Sequence, residues 1–225
     1  MDVLVVAAHP DDAEIGLGGT IARLTAAGLS VGIVDLTDGE PTPRGSRETR
    51  LAEAREAAKL LGVRERIFLD LPNRYLQDTP ETRAKLAEVM RTHRPRVIFG
   101  LLGVDQHPDH IAACDLARHA RFYAKLTKTN MTGKPYYPPL FFQYATSHLR
   151  RILKPAAIVD ISGTFERKVA AVLAYRSQFG WREERMHEVL TTIAKFYGQK
   201  IGVRYGEPIF SPEEFPIWDP RSLLP

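Results

Sequence analysis

Val3-Leu4-Val5-Val6-Ala7-Ala8-His9-Pro10-Asp11-Asp12 is the stretch around which the rest of this sequence is arranged. Its first six residues are all apolar, and such a run predicts a strand that is covered on both faces inside a parallel sheet. An imidazole and two adjacent carboxylates follow at once. Because neighbouring carboxylates repel each other, at least one of the two must be solvated, protonated or bound to a cation. His9 and Asp12 lie three residues apart on a predicted tight turn, close enough to bind the same ion.

Apolar runs and helical patterns alternate along the remainder of the chain. After the first strand, further strands are predicted at residues 29–36, 66–71, 97–102, 140–145 and 156–161. Helices are predicted between them, and Ser46, Thr79 and Thr164 are the expected N-cap residues of three of these. The alternation predicts an α/β fold of Rossmann-like type, with an open, mostly parallel sheet and helices on both faces.

A second polar cluster, His107-Pro108-Asp109-His110, follows the apolar run 97–102. In the commonest strand order of such sheets, the first and fourth strands are neighbours, and ligands bind at their carboxyl ends. The topology therefore brings the two clusters together. We interpret them as halves of one zinc site with His9, Asp12 and His110 as ligands, since catalytic zinc takes three such ligands and keeps a position for water.

The remaining polar groups of the two clusters suit metal-assisted hydrolysis of an amide or ester. Asp11 is available as a general base that takes a proton from water. His107, if it is protonated, can stabilise the oxyanion of a tetrahedral intermediate. Asp109 is expected to hydrogen-bond to His107 and to keep it protonated.

Other interpretations of these motifs stay open at this point. The carboxylates could simply cap two helices, where negative charge is favoured. Gly16, Gly18 and Gly19 follow a strand, as in a dinucleotide-binding fingerprint, but Ile21 occupies the place of the third glycine. A metal-dependent phosphoesterase and a non-catalytic nucleotide-binding module are therefore the alternatives to an amide hydrolase.

Three arginines follow the second predicted strand and should overhang the same crevice. Arg44, Arg47 and Arg50 surround the start of a helix, where positive charge is unfavourable, which indicates an anion-binding role. Arg50 is the best candidate because it lies on the helix and can bind a carboxylate with two parallel hydrogen bonds. His148 could line the crevice, and the polar segment 128–139 is expected to be a mobile loop or lid.

Length and composition narrow the class of protein further. The chain has 225 residues, 44% of them hydrophobic, which predicts a single domain over residues 1–225. One cysteine, Cys114, excludes an internal disulfide and favours a cytoplasmic location. No membrane span or signal peptide is apparent. A net charge of +4 with scattered arginines predicts a small anionic substrate rather than nucleic acid or a membrane.

The two clusters, together with Gly18-Gly19-Thr20, resemble those of the LmbE-like (PIG-L) zinc-dependent N-deacetylases. Segments 42–53, 174–179 and 201–207 are similar to the bacillithiol-biosynthesis branch, whose members remove the acetyl group from N-acetylglucosaminyl malate. The two carboxylates of malate would suit the arginine-bearing loop. Segments 101–106 and 121–139 depart from that branch.

This resemblance implies the same fold and one Zn²⁺ per chain, and it assigns the same site residues: His9, Asp12 and His110 to the metal, Asp11 to the base, His107 to the oxyanion and Arg50 to the substrate. It also implies a homo-oligomer, which is a hexamer in many relatives. The C-terminal tail, about residues 208–225, is expected on the surface or at a subunit interface.

Overall fold

The computed structural model describes residues 1–146, 148 and 151–219. The strands in these ranges are β1 (Val3–Ala7), β2 (Val31–Asp35), β3 (Glu65–Phe68), β4 (Val97–Leu101), β5 (Leu140–Tyr144), β6 (Ala157–Asp160) and β7 (Gly206–Ile209). The α-helices are α1 (Asp12–Ala26), α2 (Arg47–Leu61), α3 (Pro80–His93), α4 (Pro108–Ala124), α5 (Phe165–Leu173), α6 (Arg176–Phe179) and α7 (Glu183–Gln199). A turn of 3₁₀-helix spans Gly180–Arg182.

The central sheet has five parallel strands in the order β3-β2-β1-β4-β5. Val3 of β1 is paired with Val31 on one side and with Val97 on the other. The prediction that the first and fourth strands are neighbours is therefore confirmed. All five residues of β1 are buried, as the unbroken apolar run indicates. The carboxyl ends of β1, β2 and β4 consequently meet at one edge of the sheet.

Helices cover both faces of the sheet, which confirms the predicted α/β class. Helix α3 packs against α4, while α1 and α2 pack against α5. Two of the predicted N-caps are present: Ser46 accepts the backbone N–H of Thr49, and Thr79 forms a capping box with Thr82. Across the described ranges, no helix combines the length and apolarity that a membrane span requires.

At the C-terminal side of the chain, the predicted strand at 156–161 is present as β6, but the predicted side-chain cap of Thr164 is absent. The strand near residues 156–161 does not join the central sheet, because β6 pairs antiparallel with β7 in a separate two-stranded sheet. Strand β7 contains glycine and proline, which are depleted in strands, and so it has no strand-like pattern. Thr164 does not cap α5 with its side chain; its hydroxyl donates to the carbonyl of Gly19 instead.

The segment 128–139 is not placed as a lid over the crevice. Arg91, buried on α3, donates to the carbonyls of Ala124 and Met131 at 3.0 and 3.1 Å. The hydroxyl of Tyr136 donates to the carbonyl of Pro95, just before β4 begins. These contacts anchor the segment at the amino end of the sheet, opposite to the polar clusters.

The described part of the tail runs along the free edge of β5. Phe210 and Gln143 exchange both backbone hydrogen bonds, and Glu213 pairs with Arg121 at 2.6 Å. The tail thus covers an edge strand that would otherwise expose unpaired backbone groups. Its predicted role at a subunit interface stays a prediction, and residues 220–225 lie outside the described ranges.

A buried ionic network supports the sheet edge where the polar clusters lie. Arg66, whose side chain is 3% exposed, donates to both carboxylate oxygens of Asp35 at 2.6 and 2.9 Å and also contacts Glu14. The hydroxyl of Tyr175 donates to Glu14 at 3.1 Å. Burial raises the pKa of Asp35 to about 6, although Arg66 opposes this. The guanidinium therefore neutralises two carboxylates that have no access to water.

Removing the guanidinium of Arg66 should destabilise the folded protein. Arg66→Leu is expected to lower the free energy of unfolding by about 3–5 kcal/mol, because Asp35 and Glu14 would then be buried without a cation, and Glu14 would keep only the hydroxyl of Tyr175. Arg118→Leu removes an exposed pair with Asp115 and should cost no more than about 1 kcal/mol. Urea denaturation of both variants measures the difference. Similar midpoints for the two would contradict the role given to this network.

Candidate metal centre and active site

The two polar clusters meet where β1 and β4 end. His9 follows β1, Asp12 is the first residue of α1, and His110 lies in the first turn of α4. All three residues are buried, and each offers a ligand atom within 4.8 Å of the others. The prediction that two clusters about a hundred residues apart converge on one place is confirmed. Because neutral imidazole and carboxylate are ordinary ligands of zinc, this group fits a divalent transition metal.

Asp12 links the two imidazoles. One carboxylate oxygen accepts the backbone N–H of His9 at 2.9 Å and lies 3.3 Å from its Nδ1, while the other lies 3.2 Å from Nε2 of His110. Burial disfavours the charged carboxylate, but the imidazoles outweigh it and hold the pKa of Asp12 well below its usual range. Burial also opposes the imidazolium of His110, yet Asp12 and Asp105 raise its pKa to about 9. A metal binds the neutral imidazole, so the imidazolium of His110 must lose its proton first. Metal affinity should therefore rise with pH.

Asp105 is a site residue that sequence reasoning missed. Its carboxylate lies 3.0 Å from Nδ1 of His110, and the hydroxyl of Thr146 lies 3.1 Å from the same nitrogen. When one ring nitrogen of an imidazole binds a metal, a carboxylate hydrogen-bonded to the other nitrogen fixes the orientation of the ring and makes it a better ligand. The signal in the sequence was an acidic residue five positions before the histidine, in the loop after β4.

Loss of this carboxylate should weaken the metal site without removing a ligand. Asp105→Asn is expected to reduce metal affinity about 10- to 100-fold. Competition with a fluorescent chelator measures the affinity. Asp78→Asn is the matched control, because Asp78 also faces a histidine Nδ1, that of His119, but on another part of the surface. Equal affinity in Asp105→Asn and wild type would show that this contact does not tune the site.

Asp11 is held in a strained position beside the three candidate ligands. It is the N-cap of α1, and its φ of 116° lies where non-glycine residues are rare. Arg50 donates to the carbonyl of Pro10 at 2.6 and 3.1 Å and to the Asp11 carboxylate at 3.0 Å. Burial raises the pKa of Asp11 to about 7, and the charge of Arg50 opposes that shift. Such a pKa suits a group that exchanges protons near neutrality.

The expected contact between the Asp109 carboxylate and the His107 ring is absent, and this corrects the sequence interpretation. His107 is the N-cap of α4, and its Nδ1 accepts the backbone N–H of Asp109 at 3.2 Å. The carboxylate of Asp109 instead lies 3.0 Å from Nε2 of His9. Burial and then the neighbouring imidazoles lower the pKa of His107, so it is not held protonated. A neutral ring that accepts at Nδ1 carries its proton on Nε2 and can still donate a hydrogen bond.

The three predicted substrate-binding arginines lie in different surroundings. Arg50 is buried, and its Nη1 has no hydrogen-bond partner among the described residues. Arg47 is engaged by Asp38 and Asp70 on the surface. Arg44 stacks on the ring of Trp181 at 4.4 Å. The structure therefore does not gather them into one anion-binding cluster.

His148 lies above the site, as the sequence suggested it could. It is exposed, and its ring centroid lies 5.5 Å from that of His107 and 5.6 Å from that of His110. Its neighbours 147, 149 and 150 lie outside the described residues.

The glycines of α1 serve close packing. A Cβ on Gly16 would lie 2.4 Å from the ring of Tyr144, and one on Gly19 would lie 2.7 Å from the side chain of Ile161. Both glycines therefore let neighbouring elements approach the helix. This explains the glycine pattern without a bound dinucleotide and removes the main argument for a nucleotide-binding module.

A parallel α/β sheet with a buried His-Asp-His group and an adjacent strained carboxylate defines an α/β protein with a candidate catalytic metal centre. The chain belongs to the PIG-L family: the family model described as GlcNAc-PI de-N-acetylase matches residues 4–121. It is thus an enzyme of the amide-hydrolysing, N-deacetylase type.

Two named deacetylases and one solved structure are similar to this chain. Diacetylchitobiose deacetylase of Thermococcus kodakarensis is 35% identical over 92% of this chain and 81% of its own. A 1D-myo-inositol 2-acetamido-2-deoxy-alpha-D-glucopyranoside deacetylase of Nocardiopsis dassonvillei is 31% identical over 72% of this chain and 69% of its own. The crystal structure of a conserved protein of Thermus thermophilus superimposes with a TM-score of 0.89 at 42% identity, covering 97% and 99% of the two chains.

Proposed function

We propose that this protein is a zinc-dependent hydrolase that removes the N-acetyl group from a conjugate of N-acetylglucosamine. The observation that carries the proposal is the buried group His9, Asp12 and His110, drawn from two distant clusters, with the carboxylate of Asp11 beside it. The named activities of two relatives, both of which are deacetylases of such sugars, support the choice of substrate.

We assign one divalent ion per chain to His9, Asp12 and His110. A second combination, His9 with His107 and Asp109, also brings ligand atoms within 4.8 Å of one another. We favour the first because the carboxylate of Asp109 already accepts two backbone N–H groups, from Arg74 and Leu76. A zinc ion at this place would polarise the amide carbonyl and activate water.

The surrounding side chains then act as follows. Asp11 accepts a proton from the attacking water, and Arg50 fixes its carboxylate in position. His107 donates a hydrogen bond from Nε2 to the oxyanion that develops at the former carbonyl oxygen. Asp109 positions His9 and the loop after β3. As the C–N bond breaks, Asp11 returns that proton to the sugar nitrogen, so the products are acetate and a primary amine on the sugar.

The chemical identity of the group attached to N-acetylglucosamine is a separate question. N-acetylglucosaminyl malate, the substrate of the bacillithiol branch, stays a prediction from sequence resemblance. That prediction relied on three arginines to bind the two carboxylates of malate. In the structure, Arg47 and Arg50 already bind groups of the protein itself. The 35% identical relative is named for a substrate whose attached group is a second sugar.

A panel assay tests the proposal. We expect the purified, zinc-loaded protein to release primary amine from N,N′-diacetylchitobiose or N-acetylglucosaminyl malate, whereas p-nitrophenyl phosphate is left intact. Metal analysis should give one zinc per chain. Phosphate release without amine release would favour the phosphoesterase alternative, and absence of amine release from every N-acetylglucosamine conjugate would refute the deacetylase proposal.

A further inference from the structure

Tyr75 is an exposed aromatic residue at the rim of the site. It lies in the loop between β3 and α3, at the carboxyl edge of the sheet, and is 76% exposed. A ring so exposed adds little to the stability of the fold, because burial of apolar surface is what stabilises. What distinguishes Tyr75 from other exposed rings is its position beside the two polar clusters.

The backbone on both sides of Tyr75 is fixed by one buried carboxylate. Asp109, which is 1% exposed, accepts the N–H of Arg74 at 2.7 Å and that of Leu76 at 3.3 Å. The oxygen that binds Arg74 also lies 3.0 Å from Nε2 of His9. The position of Tyr75 is thus tied, through one side chain, to a candidate metal ligand.

Two further anchors hold this loop. The guanidinium of Arg74 donates to the carbonyl of Pro41 at 2.7 Å, and Leu76, which is 6% exposed, belongs to the core. Arg74 also has a φ of 67°, which is uncommon for a residue with a side chain. A tightly held turn therefore directs one large ring outward beside the site, as expected of a binding surface supported by a rigid scaffold.

We propose that Tyr75 is the platform on which the group attached to the reacting sugar rests, and that this group is cyclic and rich in C–H bonds, as a second pyranose is. The inference rests on the proposed deacetylase function and narrows its substrate class. The acetamide must reach the buried group His9, Asp12 and His110, so the remainder of the substrate extends outward to the rim of the site. The faces of a pyranose ring are apolar and pack on an aromatic ring, whereas the charged, acyclic malate does not.

Kinetics with two substrates test this assignment. For Tyr75→Ala we expect the KM for N,N′-diacetylchitobiose to rise about 5- to 10-fold, with kcat within about twofold of wild type. The kcat/KM for free N-acetylglucosamine, which lacks the second ring, should change by less than about twofold. Tyr75→Phe should behave like wild type, since the ring makes the contact. Tyr137→Ala is the matched control: Tyr137 is 44% exposed and lies at the opposite end of the sheet.

Each other outcome has a definite meaning. Unchanged kinetics in Tyr75→Ala, or an equal loss with both substrates, would overturn the assignment while leaving the deacetylase function intact. The assignment of Tyr75 would also be overturned, with the deacetylase function intact, if the wild type cleaves the malate conjugate but not N,N′-diacetylchitobiose. A change in oligomeric mass in Tyr75→Ala, measured by light scattering, would overturn it in favour of a subunit contact. Absence of wild-type activity on every conjugate would refute the proposed function itself.

Discussion

Asp11→Asn is expected to reduce kcat about 10²- to 10⁴-fold while the protein keeps its bound metal. The carboxylate of Asp11 lies beside the three candidate ligands without being one of them, and burial raises its pKa to about 7. Asparagine has the same shape, offers Arg50 an oxygen, and tolerates positive φ better than most residues. The substitution therefore removes the base and leaves the turn in place.

A steady-state assay of amine release and a metal analysis of the same sample measure the two quantities. Asp70→Asn is the matched control, because Asp70 also has a positive φ and also accepts a hydrogen bond from an arginine, Arg47, but on the surface. We expect it to retain wild-type kcat. If Asp11→Asn stayed fully active, the base would have to be another residue; if it lost the metal, Asp11 would be a ligand.

His110→Ala should have the opposite signature, in which the loss of activity follows from loss of the metal. The side chain is 2% exposed and lies 3.2 Å from the carboxylate of Asp12. Changing a residue that merely supports a ligand costs 10- to 100-fold in affinity, so removing a ligand should cost more than about 100-fold. We expect less than about a tenth of the wild-type metal content after dialysis and no measurable amine release.

His119→Ala is the control for this experiment. His119 also pairs with an aspartate, Asp78, but lies away from the two clusters on the other half of α4. It should keep metal and activity. Wild-type metal content in His110→Ala would mean that the ion is bound by the other group, His9 with His107 and Asp109. Zinc as the native ion and the assignment of these roles stay predictions until such measurements are made.

Sequence reasoning succeeded where the outcome depends on pattern and strand order. The unbroken apolar run of β1 predicted a central strand, and the strand is fully buried. Alternation predicted a parallel sheet, and the common strand order placed β1 beside β4. It follows that clusters after these two strands meet, because parallel strands end at the same edge. The caps of α2 and α3 depend on neighbouring residues, and they were also predicted correctly.

Reasoning from sequence failed where a side chain had several partners within reach. It paired Asp109 with His107, its neighbour in sequence, but the carboxylate lies on His9 and on the loop around Tyr75. It did not foresee that Arg50 holds Pro10 and Asp11, and substrate binding through its unpartnered Nη1 stays a prediction.

The sequence by itself therefore determined the class of fold, the edge of the sheet that carries the chemistry, and the two clusters that converge there. Only the tertiary structure decided that Asp105 supports His110, that Asp109 supports His9, and that Tyr75 is directed to solvent at the rim. The physical reason is one of scale. Periodicity places elements to within a helix or strand width, but a hydrogen bond forms only when donor and acceptor come within about 3 Å, which depends on how distant segments pack.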